Sequence, residues 1–364
     1  MVIRVLHIVT YMGRGGLETM IMNYYRNIDR SKVQFDFLVH RDFEADYDKE
    51  IIELGGEIYR VPPMNPLSIG YYQALDDFFS NHKYDIVHSH LDCMSAYPLW
   101  FAKKYGVKTR IAHAHNKNQD KNLKYIIKVI SKKWMPRYAT HLFACGQQAG
   151  KWMFSGQSFI VVNNAINARE FVYSKEQELI CKKKFGVEGK FVLGHIGRFA
   201  PQKNHFFLID VFNKVLEKHA EAVLLLVGTG DGQNDIIRKV QSLNIQNSVH
   251  FLGKRNDIAD ILQAMDVFVF PSLYEGVSVA TIEAQAAGVP CVLSDQVPVE
   301  CRMSQDVEFV SLHDSVDVWA EVICKYRKHK KTNNYIDICN KGYDIVQNVQ
   351  WLQTFYLQGE IKDE

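Results

Sequence analysis

The chain has 364 residues, of which 47% are apolar and 23% charged, with a formal net charge of +2. This length predicts two domains, each able to bury its own core, and the composition is typical of a soluble globular protein. Seven cysteines, an odd number without a Cys-x-x-Cys pair, predict a reducing compartment and argue against disulfides or zinc. No apolar run reaches the ~18 residues of a membrane span, and the amino terminus is too short for a signal peptide, so we expect a cytoplasmic protein.

The charge is divided unevenly along the chain. Residues 1–165 carry a net charge of +6, and residues 166–364 carry −4. The basic amino-terminal half is therefore expected to face an anionic surface or ligand.

Apolar strands alternate with helical patterns in both halves, which predicts an α/β fold with doubly wound parallel sheets. In such sheets, ligands bind at the carboxyl ends of the strands. Two further helices are predicted over 316–330 and 335–362, and the aromatic-rich second one is expected to cross back onto the first domain. The strands predicted for the first half are 2–10, 33–40, 58–61, 85–90, 109–115, 142–145 and 159–164.

The stretch 271–290 places Glu275 and Glu283 eight positions apart, between two apolar strands. We expect Glu275 in a turn and Glu283 within a helix over 280–287, with the backbone N–H groups of 276–279 pointing into a crevice. A helix amino terminus binds phosphate, and the flanking carboxylates suit hydroxyl groups, as in a sugar nucleotide. The alternative is an ordinary amphipathic helix whose acids are solvated.

Two glycine-containing turns follow predicted strands. The turn 13–18 has a phosphate-binding layout, although a tight turn with positive φ explains it equally well. In the second half, Gly197 and Arg198 follow a strand, and Lys203 comes shortly afterwards. A planar guanidinium and a point charge at one strand end together suit a diphosphate.

Histidines lie at the ends of two predicted strands: His88 and His90 on one, and His113 and His115 on the next, where Asn116 follows. Their position at the ligand edge of the sheet favours a functional site. Metal binding is the second interpretation, and we rank it lower because no carboxylate with ligand spacing accompanies the imidazoles.

A basic amphipathic segment spans 117–137. Its apolar side chains recur at helical spacing and end near Trp134, with Lys124, Lys128 and Lys132 interleaved. This pattern suits an anionic membrane surface. The alternatives are a core-facing helix with a solvated lysine face and, more weakly, a nucleic-acid contact, for which no recognised fold is present.

Four motifs together resemble glycosyltransferase family 4, which has the GT-B fold of two Rossmann-like domains facing across a cleft. They are Gly13-x-Gly15-Gly16-x-Glu18, Gly197-Arg198 with Lys203-Asn204, Gly228-Thr229-Gly230, and Glu275-x7-Glu283. Residues 111–116 and 144–146 also resemble bacterial capsular and exopolysaccharide transferases. The chain departs from the family pattern at Ser278, where many members have glycine. Two domains are expected. The acceptor-binding domain comprises 1–168 together with helix 346–364, and the domain that binds the nucleotide sugar comprises 169–345.

The resemblance implies a retaining transfer without a metal or other cofactor. Arg198 and Lys203 would neutralise the departing diphosphate, Glu275 would lie near the donor hexose, and His115 would lie near donor and acceptor sugars. Glu283 would accept hydrogen bonds from the ribose. The remaining implied donor contacts are Gly15, Gly16, Gly197, Asn204, Gly230, Lys254, Arg255, Gly276, Val277, Ser278 and Val279. His113, Asn116, Lys124, Lys128, Lys132 and Trp134 are expected on the acceptor and membrane side.

We therefore expect a membrane-peripheral transferase on the inner face of the cell membrane. Its donor would be a UDP-sugar, and its acceptor a polyprenyl-diphosphate-linked glycan. The alternatives are a nucleotide-sugar 2-epimerase on the same fold and a non-catalytic scaffold in a polysaccharide assembly complex.

Overall fold

A computed structural model describes residues 2–116 and 125–359. The chain forms two compact units: unit 1 is Met1–Ala165 with Ile345–Glu364, and unit 2 is Ile166–Asp344. The expected boundaries, after 168 and after 345, differ from these by three residues and one residue.

Unit 1 is built on a seven-stranded parallel sheet in the order β3-β2-β1-β4-β5-β6-β7. All seven strands lie where the apolar segments predict them, because a strand covered on both faces needs a nearly continuous apolar run. The strands are β1 Ile3–Val9, β2 Val33–Val39, β3 Ile58–Arg60, β4 Ile86–Ser89, β5 Thr109–Ala114, β6 His141–Ala144 and β7 Ile160–Val161. The helices are α1 Gly16–Asn27, α2 Asp48–Glu53, α3 Ile69–Asn81, α4 Ala96–Lys104, α5 Tyr125–Trp134 and α6 Gln147–Phe154.

Unit 2 contains a six-stranded parallel sheet in the order β10-β9-β8-β11-β12-β13. In both sheets the strand order reverses beside the first strand, which is the switch point where doubly wound sheets bind ligands. The strands are β8 Phe191–Ile196, β9 Ala222–Val227, β10 Val249–Gly253, β11 Val267–Phe270, β12 Cys291–Ser294 and β13 Val307–Val310. The helices are α7 Lys175–Lys184, α8 His205–Lys218, α9 Gln233–Ser242, α10 Ile258–Ala264, α11 Val279–Ala286, α12 Val316–Cys324 and α13 Tyr335–Asn340.

The last helix, α14 Ile345–Gln358, returns to unit 1, as the sequence predicts. Its side chains Leu352, Phe355 and Tyr356 join the core that covers β1 and β2. The prediction of one continuous helix over 335–362 is wrong. The chain leaves α13 through Gly342, whose φ of +77° is left-handed, and α14 begins three residues later.

All seven cysteines keep their thiols and do not pair as disulfides, and five of them are buried. Within the residues that the structure describes, no helix combines the length and the apolar character needed to cross a bilayer.

Candidate active site

The loop after β8 carries both predicted cations. Gly197 follows the strand directly, and a Cβ placed on it would lie 3.2 Å from both Cδ and Cε of Lys203 and 2.9 Å from Nε2 of His195. A side chain at position 197 would therefore press on the lysine stem and on His195, which glycine avoids. The Arg198 side chain is exposed beside it. The predicted placement of both cations at this strand end is thus seen in the structure.

Lys203 is held in an ion pair that the sequence does not predict. Its Nζ lies 2.6 Å from Oε1 of Glu275 and 4.4 Å from the centroid of the Phe270 ring. Both charged side chains are largely buried. The pair joins two motifs that are 72 residues apart in sequence. Each charge offsets the desolvation of the other, so removing one partner would leave the other buried and unpaired.

Backbone packing holds this loop against the turn after β9. Phe199 N donates to the Thr229 carbonyl at 3.1 Å, and a Cβ on Gly230 would lie 2.6 Å from the Phe199 carbonyl oxygen. The Gly228-Thr229-Gly230 motif is thus explained by a close backbone approach. Asn204 adopts a left-handed φ of +54° immediately before α8.

The remaining cations of unit 2 that were predicted as donor contacts follow β10. Lys254 is exposed. The Arg255 guanidinium donates to Asp257 at 2.8 and 2.6 Å, so this side chain already binds a carboxylate. This leaves the backbone at 254–255 as the feature that matches the implied base contact.

Helix α11 begins at Val279, one residue before the predicted start, with Ser278 at its N-cap position. The side chains of Val277 and Val279 are buried in the core of unit 2, and Gly276 has no side chain. The two valine side chains are therefore occupied within the core, and contact of a ligand with the backbone of this segment stays a prediction. Gln285 fixes the helix from behind, since its Oε1 accepts from the N–H groups of Met303 and Ser304.

The interpretation of Glu275 and Glu283 as solvated acids is wrong, because both are buried. Burial raises the pKa of Glu283 to about 8, and the charge of Glu170 adds to the effect. The Glu283 carboxyl is therefore protonated at neutral pH when no ligand is bound. It can donate one hydrogen bond as well as accept, whereas the resemblance implied an acceptor only.

In unit 1, the glycine turn leads into α1 as expected. Gly15 stands at the N-cap position, and a Cβ on it would lie 2.3 Å from the Glu18 carboxylate. Gly16 has open space around its Cα. The first glycine thus accommodates the side chain of Glu18, and the second leaves the start of the helix uncovered.

Five imidazoles form one layer on the face of the unit 1 sheet that α14 covers. Their rings lie 4.2–5.2 Å apart between neighbours, and the hydroxyl of Tyr356 contacts the layer from α14. The members of this histidine layer are His7, His88, His90, His113 and His115. The sequence predicted the last four. It missed His7 and Tyr356, because only the pairing of β1 with β4 shows that His7 lies opposite His88.

The layer contains two hydrogen-bonded chains. In the first, Tyr356 Oη lies 2.7 Å from His88 Nδ1, and His88 Nε2 lies 3.0 Å from His113 Nδ1. In the second, His7 Nδ1 lies 2.9 Å from His90 Nε2, and His90 Nδ1 lies 3.0 Å from His115 Nε2. Burial lowers the pKa of every histidine in the layer, to about 3 for His7 and His115, so the rings are neutral.

Two groups of three imidazoles, His7-His88-His90 and His90-His113-His115, have nitrogens within 4.8 Å of one another. Such groups could hold a metal ion by distance alone. However, the facing nitrogens of His7 and His90, and those of His90 and His115, already oppose each other at hydrogen-bond distance. One ion cannot take both lone pairs of such a pair without breaking the bond between them. We therefore interpret the layer as hydrogen-bonded imidazoles.

Asp92 fixes the end of β5, and the sequence did not single it out. Its Oδ1 accepts from the His115 backbone N–H at 2.8 Å, and its Oδ2 accepts from the Asn116 amide at 2.8 Å. Asp92 itself has a left-handed φ of +48°. The only sequence signal is its place two residues after His90.

Replacing Asp92 with alanine is expected to destabilise unit 1 by about 2–4 kcal/mol. The change combines a left-handed alanine, about 1–2 kcal/mol, with the loss of an acceptor for two donors. Asp92→Asn is the control, because asparagine tolerates this φ and keeps an acceptor. Urea unfolding of both variants measures the difference. Equal stability of the alanine and asparagine variants would contradict the assignment.

The apolar stripe of α5 faces solvent. Ile126, Ile130 and Trp134, spaced by four residues, are 70%, 43% and 49% exposed. The prediction of a core-facing helix with a solvated lysine face is therefore wrong for this stripe. Lys128 is half-buried, and Lys132 lies 4.3 Å from the Trp152 ring centroid. Lys124 lies outside the described residues.

Comparisons with known proteins agree with this architecture. Residues 14–169 match the family described as Glycosyltransferase Family 4, and residues 176–338 match Glycosyl transferases group 1. EpsF of Bacillus subtilis, which is assigned as a glycosyltransferase, is 33% identical over 99% of this chain and 98% of its own length. The capsular polysaccharide biosynthesis glycosyltransferase CapH of Staphylococcus aureus is 23% identical over 98% of this chain and 99% of its own length.

A more specifically named relative is the Escherichia coli UDP-Gal:alpha-D-GlcNAc-diphosphoundecaprenol alpha-1,3-galactosyltransferase, which is 27% identical over 78% of each chain. Among solved structures, Anabaena HepE in complex with UDP and glucose superposes with a TM-score of 0.80 at 17% identity, covering 98% of this chain and all of HepE. The chain therefore belongs to the GT-B glycosyltransferases, with a family 4 domain followed by a group 1 domain, and is a relative of enzymes of bacterial polysaccharide biosynthesis.

Proposed function

We propose that this protein is a retaining, metal-independent glycosyltransferase. It moves a hexose or N-acetylhexosamine from a UDP-sugar to a polyprenyl-diphosphate-linked glycan during capsule, exopolysaccharide or O-antigen synthesis. The observation that carries the proposal is the loop after β8, which holds the exposed Arg198 and the largely buried Lys203 paired with Glu275.

The cations account for departure of the nucleotide. In the ligand-free protein Lys203 is paired with Glu275. An arriving diphosphate competes for the lysine, which frees the Glu275 carboxylate to accept hydrogen bonds from the donor sugar. Charge that develops on the leaving phosphate is then stabilised by Lys203 and Arg198, so that the interaction is strongest in the transition state.

The proposed roles of the two motif glutamates favour retention. An inverting enzyme needs a general base for the acceptor hydroxyl. In the proposal Glu275 accepts hydrogen bonds from the donor hexose and Glu283 accepts them from the ribose, so neither takes that role. Attack from the same face, with the leaving phosphate oxygen taking the acceptor proton, needs no such base.

Glu283 provides a test of the assignment of UDP as the bound nucleotide. Ribose hydroxyls that donate to the carboxylate favour its ionised form and lower its pKa from about 8, so UDP binding releases a proton near neutral pH. UDP affinity is expected to rise between pH 7 and 8.5, as measured by isothermal titration calorimetry in buffers of different ionisation enthalpy. Glu283→Gln should remove the pH dependence. An identical pH dependence in the variant would contradict the role of Glu283.

The proposed acceptor places unit 1 at a membrane. The Escherichia coli relative acts, by its name, on a diphosphoundecaprenol-linked sugar. In this chain the exposed stripe of α5 stands next to Lys133, and α4, which contacts α5, exposes Trp100. Exposed aromatic and aliphatic side chains among lysines suit the interface of an anionic bilayer.

Changing Ile126, Ile130 and Trp134 together to serine is expected to lower binding to anionic vesicles by about tenfold or more, because apolar area is lost from the interface. Co-sedimentation with phosphatidylglycerol vesicles measures the effect. The matched control is Leu179→Ser with Ile180→Ser, two apolar side chains of α7 that are 58% and 50% exposed. Unchanged sedimentation of the α5 variant would show that this helix is not the anchor.

The complete proposal is tested by incubating the protein with UDP-, GDP- and ADP-sugars and a polyprenyl-diphosphate-linked glycan. Binding raises Tm only for nucleotides that the folded protein recognises. The anomeric configuration of the product, measured by NMR coupling constants, decides the mechanism, and inversion would overturn retention. An epimerised nucleotide sugar formed without acceptor would favour the 2-epimerase, and binding without any turnover would favour the scaffold.

A further inference from the structure

The geometry points to His90 as the positioning residue for His115, acting through the hydrogen bond between their rings, with His7 supporting His90 from behind. This inference rests on the proposed function, in which His115 lies near the reacting sugars. His90 itself is buried, and the inference has it act through His115 and not by touching a sugar.

Two contacts hold His115 from different directions. Asp92 accepts the backbone N–H of His115, and His90 Nδ1 meets ring Nε2 of His115 at 3.0 Å. The first contact fixes the backbone position of His115, and the second fixes the orientation of its ring. His115 is partly exposed, whereas His90 and His7 are buried.

The chain also sets the tautomer of His115. A neutral imidazole has one N–H donor and one lone-pair acceptor. His90 uses both nitrogens, Nε2 towards His7 and Nδ1 towards His115. The two bonds must therefore run in the same direction along the chain. Whichever direction is adopted decides whether Nδ1 of His115 presents a proton or a lone pair to a ligand.

His88 provides a comparison that separates this role from simple packing. It lies on β4, two residues before His90, is also buried, and also uses both ring nitrogens. Its partners are Tyr356 and His113, so it belongs to the other chain. Replacing His88 disturbs the same layer without removing a hydrogen bond from His115.

Three substitutions of His90 test its two hydrogen bonds separately. The amide of asparagine reaches about as far as ring Nδ1, so His90→Asn can keep the bond to His115. The amide of glutamine reaches about as far as Nε2, so His90→Gln can keep only the bond to His7. His90→Phe keeps the ring and removes both bonds.

We expect kcat for sugar transfer to fall by about 10- to 100-fold in His90→Phe and His90→Gln, because the ring of His115 loses its orientation. His90→Asn should retain most of the activity. KM for the donor should stay close to that of the wild type in all three, and His88→Phe should lower kcat less than His90→Phe. A purely structural role predicts the opposite order for the amides, because glutamine is closer to histidine in size. Equal kcat in the asparagine and glutamine variants would overturn the inference.

A readout independent of activity is the ring ¹⁵N shifts of His115 in histidine-labelled protein, which report its tautomer. These shifts should change in His90→Phe and should stay as in the wild type in His88→Phe. Unchanged shifts in His90→Phe would overturn the inference even if the protein transfers sugar. Absence of transfer by the wild type would instead overturn the proposed function. The ring ¹⁵N shifts would then still test whether His90 orients His115. One equivalent of transition metal in the purified protein, lost in His90→Phe, would also overturn the hydrogen-bonded arrangement.

Discussion

Replacing Lys203 with alanine is expected to lower kcat/KM for sugar transfer by about 10³-fold or more. A preorganised charge at the leaving oxygen typically contributes a factor of about 10² to 10³. Here the substitution also leaves Glu275 buried without its cation, 2.6 Å from where the ammonium stood. That carboxylate would then repel the diphosphate that Lys203 attracts. Steady-state kinetics with the donor sugar identified in the nucleotide screen measure the loss.

Substituting Glu275 together with Lys203 separates the loss of catalytic charge from the loss of folding stability. In Lys203→Ala with Glu275→Gln, the buried unpaired charge is removed, so folding stability should recover while transfer does not. Arg198→Ala should also lower kcat/KM strongly, with little change in stability because Arg198 is exposed. Lys214→Ala is the matched control, since this lysine of α8 pairs with Glu217 at the surface and lies outside the loop. Transfer by Lys203→Ala within about tenfold of the wild type would contradict the diphosphate role.

The sequence predicts the cations but not their pairing. Arg198 and Lys203 follow a strand within a short motif, so local pattern places them at the carboxyl end of the sheet. The bond from Lys203 to Glu275 crosses 72 residues. It depends on how the loop after β8 meets the turn after β11, which is a matter of tertiary packing. For the same reason the sequence gives no signal that Glu283 is a neutral acid.

The fold itself is predictable because each strand of a parallel sheet is a nearly continuous apolar run. Every strand of unit 1 and the return of α14 follow from such patterns. The errors lie where local pattern is ambiguous. A single left-handed glycine, Gly342, divides the last predicted helix. The stripe of α5 has the spacing of a core face, and periodicity alone does not tell which face a helix buries.

The histidine layer is predictable from the sequence only in part. Alternating histidines on β4 and β5 place four rings on one face, which period-2 geometry predicts. The fifth ring comes from β1 and the closing hydroxyl from α14, which is 268 residues from its partner His88. Only the strand order brings these together. The chemical consequence, a stack of neutral imidazoles, follows from their burial.

The layer should make unit 1 acid-labile. In the folded state, burial lowers the pKa of all five histidines of the layer, and of His40 in the same unit, below the ordinary value of 6.5. Above pH 6.5 these rings are neutral in both states, and their full contribution to stability is present. As the pH falls below 6.5, the unfolded chain takes up protons that the folded layer excludes. Stability is then lost towards the folded pKa, which is about 3 for His7.

The expected loss is about 1.4 kcal/mol per pH unit for each ring, or about 8 kcal/mol per unit for the six together. A typical domain has about 5–15 kcal/mol in total, so unit 1 should unfold between about pH 4.5 and 6. Urea unfolding at pH 7.5, 6.5 and 5.5 measures the slope. Tryptophan fluorescence reports mainly unit 1, since Trp319 alone of the five tryptophans lies in unit 2.

His88→Phe provides the internal check, because it removes one titrating ring from the layer while keeping an aromatic side chain. The variant should be less stable at pH 7.5, where its hydrogen bonds to Tyr356 and His113 are missing. Its stability should nevertheless fall by about one sixth less per pH unit than that of the wild type. His313→Phe, at an exposed position of unit 2, should leave the slope unchanged. Equal slopes in wild type and His88→Phe would mean that the layer accepts protons without unfolding, and the interpretation of neutral, proton-excluding imidazoles would be wrong.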